Sequence, residues 1–247
     1  MKKYLPIIFL ALGVLVVVVV FFVLRGRGGE GPVERNETAL IEVAPEDRPI
    51  VFLTPTNDGH YLTLRVGEIN IPGAETMEYE LLYEVPGGVT QGVPGMVEIK
   101  GMSSFEAELL LGSESSGKFR YDEGVEEGRM TIRFRNRDGK LLIKFISDFH
   151  LQTQTQELSS LDGSFTFTRS LKNINNEYSV VMETVGYPGN FSKSISSGPY
   201  GIFSSSSQEE PGKVNMDSES VYRWDGDDWT MLEDKKSDDF GIFISAS

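Results

Sequence analysis

Apolar side chains recur at every second position along much of this chain, a spacing that suits strands and not helices. Met77, Tyr79, Leu81, Tyr83 and Val85 alternate with Glu78, Glu80, Leu82 and Glu84. Successive side chains of a strand point to opposite faces, so this run has one face to bury and one to leave in water. Similar short runs fall near residues 49–54, 60–66, 96–100, 105–111, 117–121, 129–135 and 140–149. Turn residues such as Asn57-Asp58-Gly59 and Pro86-Gly87-Gly88 separate them. Past residue 48 no stretch of a dozen residues has helical periodicity. The pattern predicts an all-β fold of sandwich-like antiparallel domains.

One hairpin can be placed from its turn. Asp138-Gly139 favours a tight reversal, which puts Phe134 opposite Ile143 and Ile132 opposite Phe145. Met130, Ile132, Phe134, Leu141, Ile143 and Phe145 then form the buried side. The other side carries Arg129, Arg133, Arg135, Lys140 and Lys144. On so acidic a chain, Arg133, Arg135 and Lys144 can hold an anionic ligand such as a cell-wall polymer. The preferred reading is that they face a neighbouring acidic strand, and residues 78–84 supply one with three glutamates.

The amino-terminal residues obey a different rule. Leu5 to Leu24 is an apolar run of 20 residues, which at about 1.5 Å per residue covers a bilayer core of roughly 30 Å. It is longer than the apolar region of a cleaved signal peptide, and it ends in Leu24-Arg25-Gly26-Arg27 without a small-residue cleavage pattern. Residues 1–24 therefore read as an uncleaved single-pass helical anchor in the cell membrane, in contact with lipid through residues 5–24. Residues 25–47, containing Gly, Glu and Pro, read as a stalk. Lys2 and Lys3 on one side nearly balance Arg25 and Arg27 on the other. The preferred orientation, with the domain outside the cytoplasm, rests on the resemblance of the span to a signal anchor.

Charge and cysteine content limit the partners. Of 23 Lys and Arg, four lie in the first 27 residues, which hold none of the 37 Asp and Glu; the rest of the chain thus carries a net of −18. That balance excludes the basic footprint of a nucleic-acid binder. With no cysteine, disulfides, thiolate metal sites and thiol nucleophiles are excluded too. A polar stretch, Gln152 to Gly163, suggests one β-domain over 48–155 and a second over 160–247, or a continuation of the first. Tyr200-Gly201-Ile202-Phe203 and Phe240-Gly241-Ile242-Phe243 echo each other as two strands of one sheet.

Candidate chemistry is sparse. Around Asp225-Gly226-Asp227-Asp228, Tyr222, Trp224, Trp229 and Met231 fall on one face whether the loop takes two residues or four. An aromatic strip beside carboxylates suits a sugar-binding platform, but the preferred reading is the core side of a terminal hairpin. In either case the two tryptophans should behave alike. Asp225, Asp227 and Asp228 offer oxygen ligands for calcium, the one cofactor the sequence suggests, although the same residues make an ordinary turn. The two histidines, His60 and His150, each follow an aspartate by two residues, with no third ligand implied. No catalytic residues stand out, which favours a non-enzyme. The expected function is noncatalytic binding or adhesion at the cell envelope, to a glycan or a protein. An anchored carboxylate-dependent hydrolase of envelope polysaccharide and an accessory subunit of a membrane complex are the alternatives.

Overall fold

The computed structural model describes residues 41–170 and 177–247. The apolar run at residues 5–24 and most of the stalk lie outside them. Among the described residues no helix is long and apolar enough to cross a membrane. Regular structure there is strand, apart from 3-10 turns at Pro45–Asp47 and Glu233–Lys235.

The strands follow the alternation and the turns. The first five are β1 (Ile50–Pro55), β2 (Tyr61–Gly67), β3 (Thr76–Val85), β4 (Val89–Glu98) and β5 (Phe105–Leu110). Next come β6 (Gly112–Ser115), β7 (Lys118–Tyr121), β8 (Glu127–Arg135), β9 (Leu141–Thr153), β10 (Glu157–Ser159) and β11 (Phe165–Arg169). The last seven are β12 (Tyr178–Glu183), β13 (Ile195–Ser204), β14 (Gly212–Met216), β15 (Ser220–Trp224), β16 (Trp229–Met231), β17 (Lys236–Ser237) and β18 (Ile242–Ala246).

One sheet of nine antiparallel strands organises them, in the order β16-β15-β18-β13-β12-β9-β8-β3-β4. A three-stranded sheet, β1-β2-β5, and a four-stranded sheet, β10-β11-β14-β17, pack against it, and β6 and β7 form a separate hairpin. The two smaller sheets cover opposite faces of the large one. On β12, Val180 and Met182 belong to the core under β1-β2-β5, whereas Val181 belongs to the core under β10-β11-β14-β17. Adjacent strand residues point opposite ways, so this division puts one core on each side of β12. Its neighbour repeats the division: Phe203 pairs with Val180 and Ile202 with Val181, and they pack into the first and second core respectively. On β9, Phe149 and Leu151 fill the first core. His150 and Gln152, on the other face, bond to Ser159 of β10.

Leu53, Leu64, Met77, Phe134 and Phe149 anchor the first core, and Phe165, Phe167, Val214 and Phe243 the second; all are fully buried. The central hairpin has the register its turn implies, Phe134 opposite Ile143 and Ile132 opposite Phe145. One residue departs from expectation. The register shifts between Phe134 and Arg135, so Leu141 sits across from Arg135 and is only half-buried. The cause is Gly139 at φ 74°, with Asn136 Oδ1 accepting from the backbone N–H of both Asp138 and Lys140; a bulge absorbs the extra residue.

The two small sheets meet the large one at its middle. Val51 N–H donates to Thr184 O over 2.8 Å and Gly186 N–H to Pro49 O over 3.1 Å, which ties β1 to the chain just past β12. Beside that junction the terminal strands carry both tryptophans.

Candidate functional site

The terminal hairpin closes as its turn residues dictate. Tyr222 lies opposite Met231 and Trp224 opposite Trp229. Asp225 Oδ1 accepts the backbone N–H groups of Asp227 and Asp228, each over 3.0 Å, and these bonds hold its carboxyl below the usual range. Residues 184–194, joining β12 to β13, fold over the aromatic strip. Trp229 Nε1 donates to Pro188 O over 2.8 Å, and the Phe191 ring stands 5.3 Å from that of Trp229 and 5.1 Å from that of Tyr222. Lys193 lies 4.8 Å over the Tyr222 ring and also reaches its hydroxyl. Gly189 makes this cover possible. At φ +66° it favours glycine, and a Cβ there would stand 2.7 Å from the Trp224 ring.

The tryptophans are therefore not equivalent. Both are half-buried, but Trp229 is held under the loop while Trp224 also lines a groove. This groove of about 600 Å³ runs between the three-stranded sheet and the terminal hairpin. Phe52 of β1, Arg65 of β2, Phe203 of β13, Arg223 and Trp224 of β15, and Phe240 line it. Arg65 lies 4.3 Å over the Phe52 ring, which meets the Phe203 ring at 5.3 Å. Arg223 Nε donates to Phe240 O over 3.0 Å. The groove thus combines aromatic side chains with guanidinium groups, one of them over the Phe52 ring, and the carboxylates of Asp225 and Asp239.

Several of these residues carried no site signal in the sequence. Phe52, Arg65 and Phe203 look like ordinary strand positions, and only folding brings them together. The echo of Tyr200–Phe203 in Phe240–Phe243 did carry information. Tyr200 pairs with Phe243 and Gly201 with Ile242 in neighbouring strands, and Phe203 and Phe240 both line the groove.

The basic ladder lies elsewhere, on the face of β8 and β9. Arg133 Nη2 is 3.1 Å from Glu80 Oε2, and Arg135 Nε is 2.7 Å from Glu78 Oε1, so the arginines face the acidic strand β3. Lys144 is exposed, across from Arg133. None of the three lines the groove. Asp227 and Asp228 are exposed in the turn, and among the described residues no three His, Asp or Glu side chains are grouped to hold a metal ion.

The two Asp-x-His pairs diverge. Asp58 Oδ2 is 3.1 Å from His60 Nδ1, whereas Asp148 pairs with Arg129 at 2.6 Å and leaves His150 to the Ser159 carbonyl. His60 and His150 nonetheless line one cleft. Comparison with family models, curated proteins and solved structures finds no match, so geometry alone carries the reading of either site.

Proposed function

We propose that this chain is a noncatalytic binding protein of the cell envelope, anchored by its amino-terminal apolar run with the β-domain outside the cytoplasm. Its groove would hold a glycan chain. The observation behind this reading is the groove itself, where the aromatic side chains of Trp224, Phe52 and Phe203 lie among arginines and carboxylates. Sugars present apolar C–H faces ringed by hydroxyls, and such a surface matches both parts. The acidic balance of the domain agrees with a neutral ligand better than with a polyanion.

The two tryptophans provide the test. In detergent-solubilised full-length protein, Trp224→Ala should weaken retention on envelope glycan by about tenfold, the scale of one lost aromatic contact. Its melting temperature should fall by less than that of Trp229→Ala, since Trp224 packs against Gly189 and Trp229 whereas Trp229 also bonds to Pro188 and meets the Phe191 ring. Trp229→Ala should instead cost about 2 kcal/mol of stability, less than a fully buried tryptophan, because its ring is half-buried under the 184–194 loop. Glycan-array profiling and thermal melts of both variants distinguish these outcomes. Equal retention by Trp224→Ala and the unmodified chain would remove the groove from consideration.

A further inference from the structure

The cleft that contains both histidines has a chemistry the groove lacks. It encloses about 620 Å³, and its lining includes Asp58, His60, Asp122, Glu123, Glu126 and His150. No lysine or arginine is among the described residues that line it. Its floor is built by close packing: Gly59, at φ +70°, leaves room for the Tyr178 ring, which a Cβ there would meet at 2.5 Å.

Hydrogen bonding makes this lining accept rather than donate. The Asp58 carboxylate can only accept from His60 Nδ1, and the Ser159 carbonyl, 2.9 Å from His150 Nδ1, can only accept too. Both Nδ1 atoms therefore carry a ring hydrogen, and in the neutral form of either imidazole the acceptor is Nε2. Asp58 also accepts from Thr56 Oγ1 and the His60 N–H, which with its other partners keep it below the usual carboxylate range and ionised. Among the described residues Glu123 and Glu126 form no ion pair. A concave surface of one charge sign concentrates the opposite charge.

An aromatic row leads to the same place. The rings of Phe119 and Tyr121 are nearly parallel, 8° apart at 6.2 Å, and Tyr121 stacks on His60 at 3.7 Å and 4°. Phe119 is 49% exposed and Tyr121 37%, so beyond the Tyr121 face that His60 covers, the row leaves aromatic surface exposed next to a residue that lines the cleft. Ring faces attract cations and pack against alkyl chains, but they offer little to a hydrated metal ion.

From this combination we infer that the cleft binds an organic ammonium ion, its N–H groups on the carboxylates and imidazole acceptors and its hydrocarbon body along the Tyr121 row. This site is separate from the glycan groove and does not depend on that reading.

Calorimetric titration of the full-length protein in detergent with spermidine tests it. Spermidine should bind, and magnesium at matched ionic strength should fail to displace it. Glu123→Gln combined with Glu126→Gln should weaken binding about tenfold through the lost Coulomb attraction. Tyr121→Leu, which keeps bulk without the ring face, should weaken it about threefold. Glu126→Lys should abolish it with the melting temperature held, while Trp224→Ala should leave it unchanged. Tetralysine binding more tightly than spermidine would assign the ammonium to a partner's lysine side chains, and the reverse order to a free polyamine; both outcomes support the site. Equal displacement by magnesium, or undiminished affinity in the glutamate variants, would overturn it.

Discussion

Arg169→Met should destabilise the fold by about 3–5 kcal/mol, the usual cost of stripping one partner from a buried ion network. The Arg169 side chain is 2% exposed and contacts Glu177, with Glu210 Oε1 at 4.0 Å from Nη1. It also donates to Ser179 Oγ over 2.8 Å and lies 5.3 Å from the Phe240 ring. Methionine would fill much of the volume but leave two carboxylates in low dielectric without a counter-charge. Restoring neutrality with Glu177→Gln and Glu210→Gln in the same chain should recover most of the loss. The pH dependence has a definite sign. Burial pushes the Glu210 carboxyl above its ordinary range, against the pull of Arg169. A raised carboxyl favours the folded state below its unfolded pKa, and that contribution fades as pH rises through the folded pKa. Without Arg169 the upward shift grows, so the variant's deficit should be smaller near about pH 5 than near about pH 7. Denaturant unfolding at both values checks this, and a deficit that grows on acidification would contradict it.

Val180→Asp and Val181→Asp should each abolish the folded state although the residues belong to different cores. Both valines are fully buried. An unpaired carboxylate in such a place costs several kcal/mol, a large share of the roughly 5–15 kcal/mol that holds a domain together. Because β12 and β13 serve both cores, the loss should not stop at one of them. Hydrogen exchange should show protection falling together in β8, which lines the first core, and β11, which lines the second. Retained protection in β8 of the Val181→Asp variant would mean that the cores unfold separately.

What the sequence disclosed depended on whether a signal was local. Residues 77–85 announced a strand because one of their faces meets the core and the other meets solvent, and the Asp138-Gly139 turn fixed its own cross-strand pairs. Leu141 was placed on the wrong face because a bulge beside the turn is not visible in the alternation. The run Ser179-Val180-Val181-Met182 lost its period of two for the opposite reason: all four residues are buried, with a core on each side. At the terminal hairpin the shared face of Trp224 and Trp229 was legible, but their different surroundings come from residues 184–194, which no pattern tied to them. The groove and the histidine cleft assemble residues far apart in the chain. Neither Phe52 with Trp224 nor His60 with His150 leaves a local trace.

The two-faced strands β12 and β13 also determine what would happen if the chain were cut. A fragment of residues 41–155 would keep Leu53, Phe134 and Phe149 but lose Val180, Met182 and Phe203 from the same core. It would also leave one edge of β9, a strand of 13 residues, without its partner β12. Residues 156–247 would in turn expose Val180 and Phe203 with nothing to cover them. Neither piece should fold by itself, yet each carries what the other lacks, and the bare edge of β9 is a template for β12. Coexpressed, the fragments should reassemble into a noncovalent complex that native mass spectrometry would detect, whereas a stably folded single fragment would refute the idea. The chain would then serve as a complementation pair, split within its polar stretch and rejoined through one strand.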